Sequence, residues 1–133
     1  MTIVIDASAM VELLVRSPAA PAVEEALRSH DAVAPELFDV EVLSALARIE
    51  RRGLLDTGAA AKAVLALPRA PIARIAHRRL TAGAWRRRHQ LSLYDALYAA
   101  LAAELGCALL TADRRLAAAP GLDVTVTLVS SGH

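Results

Sequence analysis

"TIVIDASAMVELLV", residues 2–15, is the stretch that decides the fold. It begins with four β-branched residues, which are typical of a strand buried on both faces of a sheet. The strand ends at Asp6, and the pattern of residues 8–15 predicts a helix that follows at once. A buried strand that leads directly into a helix is the unit from which α/β folds are built.

The rest of the chain continues this alternation. Helices are predicted at about residues 22–29, 35–53, 57–67, 77–90, 92–106 and 113–119, and strands at about residues 32–34, 70–76, 107–111 and 123–129. The strand segments are apolar without a strict period of two, which indicates a parallel sheet covered on both faces. The sequence therefore predicts a three-layer α/β/α fold, with a central parallel sheet of about five strands flanked by helices.

Length and composition predict one domain over residues 1–133, with residues 130–133 as a frayed tail. The chain is 56% hydrophobic and only 3% aromatic, so alanine, leucine and valine are expected to build the core. The net charge of +1 gives no bulk electrostatic argument for a nucleic-acid partner. The two halves differ, because residues 69–133 carry nine basic and four acidic side chains whereas residues 1–68 carry six and ten.

Three features favour a soluble, cytoplasmic protein. Cys107 is the single cysteine, so no disulfide forms within the chain and a reducing compartment is expected. The first ten residues lack the basic region of a signal peptide. The most apolar window, residues 96–112, is interrupted by Glu104 and Gly106 and is shorter than the roughly 20 residues that span a membrane.

Four carboxylates occupy positions where α/β folds build their sites. Asp6 and Asp113 follow the buried strands "TIVI" and "CALLT", while Glu41 and Asp95 lie early in their helices without a basic residue within one turn. Ligands of open α/β sheets bind at the carboxyl ends of the strands, so we expect the four to converge on one cleft.

Four clustered carboxylates repel one another unless a cation or protons offset their charge. An all-oxygen ligand set suits Mg²⁺ or Mn²⁺, with water completing the coordination. Ser8 and Thr111, each two residues from a strand-end acid, are expected to supply hydroxyls that hydrogen-bond to the ligands.

Each acid also has a purely structural interpretation. Ser92 and Asp95 fit a capping box in outline, and Asp6 and Asp113 fit N-caps of the helices that follow them. Glu41 fits a first-turn acid favoured by the helix dipole. Taken singly, each acid is explained at least as well by capping as by ligation, and only the four together favour a cation site.

Four blocks of the sequence resemble a known family. "VIDASA" at 4–9, "PELFDVEVLSALAR" at 35–48, "LSLYDALYAALA" at 91–102 and "LLTADRRL" at 109–116 are similar, in order and spacing, to the blocks of a PIN domain. More narrowly, they resemble the VapC-type toxins of bacterial toxin–antitoxin operons. The resemblance spans residues 3 to about 129.

This resemblance implies a Mg²⁺- or Mn²⁺-dependent endoribonuclease in which water attacks the RNA phosphodiester and leaves a 5′-phosphate. The implied catalytic and metal-binding residues are Asp6, Glu41, Asp95 and Asp113, and Ser8 and Thr111 match the family's supporting hydroxyls. It further implies a VapB-like antitoxin as partner, an RNA substrate and a homodimer. Some relatives carry another acid shortly after the last block, but "RRLAAA" offers none here.

Arginines are the candidate contacts to RNA. Seven lie between Arg69 and Arg88, and arginine pairs with phosphate through two parallel hydrogen bonds. The candidate RNA-contacting residues are Arg114, Arg115, Arg86 and Arg87, with a solvated helix face as the alternative. Trp85, Tyr94 and Tyr98 are expected to pack in the core rather than to stack on bases.

Two rival functions remain open. Phosphoryl transfer to Asp6, as in receiver domains or haloacid-dehalogenase-like phosphatases, requires a neighbouring acid and a lysine on a later strand. Here "ASA" follows Asp6, and Lys62, the only lysine, lies in a helical stretch. The other rival is a non-catalytic PIN-like module that binds RNA or protein.

Overall fold

The computed structural model describes residues 1–130 and contains a five-stranded sheet. The strands are β1 Thr2–Ile5, β2 Asp31–Pro35, β3 Ile72–Ile75, β4 Leu109–Thr111 and β5 Val126–Leu128. The helices are α1 Ala7–Leu14, α2 Ala20–Ser29, α3 Leu37–Arg51, α4 Thr57–Ala66, α5 Thr81–Arg86, α6 Leu93–Leu105 and α7 Arg114–Ala117. Short 3-10 turns lie at Leu67–Arg69 and His77–Leu80.

The predicted parallel sheet is confirmed. Every strand pair is parallel, and β1 lies at the centre between β2 and β4. Val4 and Ile5 have no exposed surface, because their side chains are covered on both faces of the sheet. The end of the β-branched run in the opening stretch thus lies in the hydrophobic core.

The strand order β3-β2-β1-β4-β5 creates a reversal beside β1. The chain first moves outward from β1 through β2 to β3, and then crosses back to β4 and β5 on the opposite side of β1. Helices α2 and α3 both pack on α1, whereas α6 packs on α5, β1 and β2, which gives the predicted three layers. In open α/β folds the crevice at such a reversal, outside the carboxyl ends of the strands, is where ligands bind.

Helix ends near this crevice are set by short polar side chains. The Asp6 carboxylate accepts a hydrogen bond from the Ala9 backbone N–H and begins α1. Ser92 begins α6 in the same way, and α6 ends at Gly106, whose φ of 63° is the left-handed conformation that glycine adopts without strain.

The arginine-rich segment 77–90 differs from its prediction as one helix. A 3-10 turn precedes α5, and the chain leaves helical conformation after Arg86. Gly83 lowers helix propensity at the centre of the segment, and it also lets α5 approach α6 closely. A Cβ atom at residue 83 would lie 3.0 Å from the Ala100 Cβ.

The prediction for the tail is not tested, and the described helices show no membrane span. The predicted frayed tail, residues 130–133, falls outside the described residues except for Ser130. Within residues 1–130, every helix is too short or too polar to cross a membrane.

The α5–α6 contact gives a stability prediction. A valine at residue 83 would force the two helices apart, so we expect Gly83→Val to lower the free energy of unfolding by about 1–3 kcal/mol. Ala82→Val is the matched control, because residue 82 is exposed on the same helix. Urea denaturation measures both variants, and an equal loss in the two would contradict close packing at Gly83.

Candidate active site

Asp6 is a buried carboxylate at the carboxyl end of the central strand, with 5% of its surface exposed. Its Oδ1 accepts hydrogen bonds from the Ser8 hydroxyl at 2.7 Å and from the Ala9 N–H at 3.0 Å. Its Oδ2 accepts one from the Thr111 hydroxyl. All three donors are neutral, so the carboxylate is held firmly but its charge is not offset.

Ser8 and Thr111 also connect the ends of β1 and β4. The Ser8 hydroxyl accepts from the Ala112 N–H at 2.9 Å and lies 3.1 Å from the Thr111 hydroxyl oxygen. The Thr111 hydroxyl accepts from the Asp113 N–H at 3.0 Å. The two hydroxyls predicted from the sequence therefore lie between the two strand-end acids and orient both segments.

Glu41 projects from α3 and is held by Tyr98, which the sequence predicted only as a core residue. The Tyr98 hydroxyl donates a hydrogen bond to Glu41 Oε1 at 2.7 Å. Tyr98 lies on α6 with 1% of its surface exposed, so its predicted core packing is correct but incomplete. The sequence did carry a signal for this contact. Tyr98 comes three positions after Asp95, so the two side chains lie on the same side of the helix and point to the same region.

Asp95 and Asp113 occupy the first turn of α6 and the N-cap of α7. The Asp95 N–H donates to the Ser92 hydroxyl at 3.2 Å, so Ser92 caps the helix. Asp113 Oδ1 accepts from the Arg115 N–H at 2.9 Å. The capping interpretation is thus correct for Asp6 and Asp113. A cap bond uses only one of the two carboxylate oxygens, so it is compatible with cation binding by the same acid.

The charge of Asp95 acts on Asp6 and Glu41, and the charge of Asp113 acts on Asp95. Burial raises the pKa of Asp6 to about 6 against the opposing effect of its hydrogen bonds, and the Asp95 charge raises it further. Burial, and then the Asp95 charge, also raise the pKa of Glu41, although the Tyr98 hydrogen bond lowers it. For Asp95 itself, burial and the Asp113 charge raise the pKa, while the Ser92 hydroxyl and the Arg115 charge lower it.

Tyr98 shares this electrostatic environment. Burial, the Glu41 charge and hydrogen bond, and the Asp6 charge all raise the pKa of Tyr98. Its phenol therefore stays protonated and acts as a hydrogen-bond donor. Asp95 thus lies near enough to Asp6 and Glu41 to affect their pKa values, and near enough to Asp113 to be affected by its charge, while the charges of both Glu41 and Asp6 reach Tyr98.

The donor set fits a hard divalent cation. Within residues 1–130, salt bridges reach only one of the four acids, Asp113, whose Oδ1 lies 3.8 Å from Arg115 Nε. No three His, Cys, Asp or Glu side chains of the described chain are placed to hold an ion by themselves. Mg²⁺ characteristically keeps several waters and uses one or two carboxylates with substrate phosphate, so these residues fit an open site rather than a closed cage.

The candidate RNA-contacting arginines differ in exposure. Arg86, Arg114 and Arg115 are exposed, and Arg115 also lies near enough to Asp95 to affect its pKa. Arg87 is buried, and it pairs with both carboxylate oxygens of Asp123 at 3.1 and 2.6 Å. Arg87 is therefore left out of the set that faces solvent.

Two aromatic residues were predicted wrongly. Trp85 and Tyr94 are 58% and 65% exposed, so neither packs in the core. Trp85 instead carries the Arg88 guanidinium over its ring at 4.3 Å.

Comparison with known proteins gives a consistent result. A family model described as PIN domain matches residues 3–122. Ribonuclease VapC3 of Mycobacterium tuberculosis is 48% identical over 118 residues, which cover 88% of this chain and 86% of that protein. Ribonuclease VapC1 of the same organism is 41% identical over 128 residues, covering 95% of this chain and 96% of that protein.

Solved structures share the fold. VapBC2 from Rickettsia felis, solved bound to a DNA fragment from their promoter, matches with a TM-score of 0.70 at 11% identity and covers 98% of this chain and 100% of that chain. Mycobacterium tuberculosis VapC20, titled a Sarcin-Ricin loop cleaving toxin, matches with a TM-score of 0.65 at 18% identity, covering 92% and 98% of the two chains.

The environment of Asp6 predicts a pH-dependent stability. Its pKa rises from 3.8 to about 6 on folding, so its ionisation opposes folding. The resulting stability is present below the unfolded pKa and is lost as pH rises through about 6, by an amount on the order of 3 kcal/mol. In EDTA, Asp6→Asn should therefore gain stability relative to wild type between pH 5 and pH 7.5, measured by urea denaturation.

Asparagine retains the local hydrogen bonds of this site. Its carbonyl oxygen can accept from Ser8 and Ala9, and its amide can donate to Thr111. Asp56→Asn is the matched control, because Asp56 caps α4 on the surface and asparagine caps about as well as aspartate. A stability difference between Asp6→Asn and wild type that stays constant with pH would contradict the prediction.

Proposed function

The chain belongs to the PIN-domain family and, within it, to the VapC ribonucleases, and we propose that it is the endoribonuclease toxin of a type II toxin–antitoxin pair. The observation that carries this proposal is that the charge of Asp95 raises the pKa of both Asp6 and Glu41 and that the charge of Asp113 raises the pKa of Asp95, with Asp6 at the carboxyl end of β1 beside the reversal. Capping is local to each helix, so it does not explain why acids on different elements affect one another's pKa. A site of this charge is suited to hold a cation against the phosphodiester of RNA.

As a VapC nuclease, the protein uses a divalent cation, and we infer that this cation is Mg²⁺ or Mn²⁺. The residues that would hold it are Asp6, Glu41, Asp95 and Asp113. When bound, such an ion lowers the pKa of a water molecule and neutralises charge on the phosphoryl group. Hydrolysis breaks the bond between phosphorus and the 3′ oxygen, and it leaves a 5′-phosphate and a 3′-hydroxyl.

The protein's own groups supply orientation and charge. Ser8 and Thr111 fix the Asp6 carboxylate through both of its oxygens, so that this acid keeps one position in the crevice. Arg115 is exposed beside Asp113 and would attract the phosphate backbone, and the exposed Arg114 and Arg86 would add positive charge. Arginine is suited to this role because its planar guanidinium matches a phosphate.

The two rival functions lack support. Lys62 lies on α4 and lines a groove with α1 and α2 residues, whereas phosphoryl transfer to Asp6 needs a lysine at the strand ends. A non-catalytic module does not require carboxylates that raise one another's pKa. The repulsion between such carboxylates would only weaken the cation-free fold.

The partner is a VapB-like antitoxin, and we propose that part of it lies in the groove between α1, α2 and α4. This groove has a volume of about 760 Å³ and a mostly apolar lining that includes Met10, Leu13, Leu14, Leu27, Leu55 and Ala63. Lys62 and Arg69 also line it, and neither forms a salt bridge within the described residues. An amphipathic antitoxin segment with some acidic residues fits this surface.

We also infer a homodimer of single-domain chains, residues 1–133, in the cytoplasm. Large apolar side chains are exposed next to the site on α3 and α6, namely Val40, Leu43, Leu93 and Tyr94. A second copy of the chain would cover them.

Metal-dependent cleavage tests the function. We expect purified, antitoxin-free protein to cleave RNA in Mg²⁺ or Mn²⁺ but not in EDTA. Asp95→Asn should lower the rate by at least about 100-fold, because loss of a ligand charge exceeds the effect typical of supporting groups. The same variant should unfold at or above the wild-type temperature in EDTA, because it relieves repulsion.

The matched control is again Asp56→Asn, which should cleave at the wild-type rate. Cleavage that persists in EDTA, or an Asp95→Asn variant with wild-type activity, would refute the proposed site. A wild-type protein that binds RNA but leaves it intact in both cations would instead favour the non-catalytic module.

A further inference from the structure

The Tyr98 hydroxyl is a polar group in an otherwise apolar position. The side chain is among the largest that are fully buried, and phenylalanine would fill the same space. A hydroxyl buried without a partner costs free energy, so its presence at this position depends on what it contacts. The hydroxyl donates to Glu41 Oε1, at 2.7 Å, and the Ala7 backbone N–H lies close to it.

The hydrogen bond joins two elements that each carry a candidate ligand. Tyr98 lies three residues after Asp95 on α6, and Glu41 lies on α3, 57 positions away from Tyr98 in the chain. The bond therefore fixes the distance between the Glu41 side chain and the helix that bears Asp95.

Glu41 has little else to hold it. Within residues 1–130, Tyr98 is the one side chain that donates a hydrogen bond to Glu41, and no cationic group forms a salt bridge with it. Asp39, on the same helix, shows the contrast, because its carboxylate pairs with Arg74 at 2.8 Å. Without Tyr98, the flexible Glu41 side chain would turn towards solvent and away from the negative charge of Asp95.

We propose that Tyr98 is a positioning residue that holds Glu41 by Oε1 and leaves Oε2 directed to the divalent cation. Its role for Glu41 parallels the role of Ser8 and Thr111 for Asp6: a neutral hydroxyl orients the acid and keeps its charge. The inference rests on the proposed function, because it assigns Tyr98 to the same cation site.

Tyr98→Phe removes the hydroxyl and keeps the ring, so the variant should fold, as thermal unfolding will verify. Isothermal titration of RNA-free protein with Mn²⁺ should show binding about 10- to 100-fold weaker than wild type, the usual effect of losing a group that orients a ligand. Ser29→Ala is the matched control, since it deletes a hydroxyl that donates to a carboxylate, Glu25 Oε1 at 2.8 Å, on the surface of α2 and outside the candidate site, and it should bind Mn²⁺ as wild type does.

A second comparison separates positioning from a merely structural role. In a Glu41→Ala background, Tyr98→Phe should cause no further loss of Mn²⁺ affinity, because the hydroxyl acts through that carboxylate. Wild-type affinity in Tyr98→Phe, or the same fold-loss in the Glu41→Ala background, would overturn the inference alone. A wild-type protein that binds no Mn²⁺ would overturn the cation site and this inference together.

Discussion

The burial of Asp6 at the end of the central strand is the constraint on which the site depends. A buried carboxylate is costly unless hydrogen bonds satisfy its oxygens, and here the donors come from the start of α1 and the end of β4. These donors are correctly placed only when β1 and β4 are paired in register, with Ile5 opposite Leu110. The geometry of the acid therefore depends on the assembly of the sheet centre.

Neutral donors satisfy the hydrogen-bonding needs of a buried carboxylate but do not neutralise its charge. An arginine at the same place would neutralise Asp6 and stabilise the fold, but it would also occupy the position of a cation. Hydroxyls satisfy the oxygens and leave the negative charge, so the pKa of Asp6 stays raised, at about 6. A neutral hydroxyl is also the polar neighbour of the next two acids: Tyr98 donates to Glu41, and Ser92 caps the helix that carries Asp95.

Much of this arrangement is predictable from the sequence because it depends on local patterns. The apolar runs that end at Asp6 and just before Asp113 correctly predicted the strands β1 and β4. The alternation of helices and strands correctly predicted the three layers. Features that depend on distant partners were not predictable. Arg87 belongs to an arginine-rich run typical of a solvated surface, yet it is buried and pairs with Asp123, far along the chain. Tyr98 sits in an apolar run typical of core, and only the position of α3 reveals the contact of its hydroxyl.

The remaining arginines show how the protein keeps its crevice negative. Arg74, Arg79 and Arg87 each pair with an acid outside the candidate site, Asp39, Glu104 and Asp123 respectively. These three positive charges are thus engaged elsewhere, whereas exposed groups such as Arg86 and Arg114 form no salt bridge within the described residues and can meet phosphate. The repulsion left among the four acids lowers the stability of the cation-free protein. A divalent cation that binds only the folded chain offsets this cost in proportion to its concentration and affinity, so cation binding and folding are linked. Under the proposed function, the acids that weaken the fold are also the acids that would bind the cation, so stability and function are expected to respond in opposite directions when one of them is neutralised.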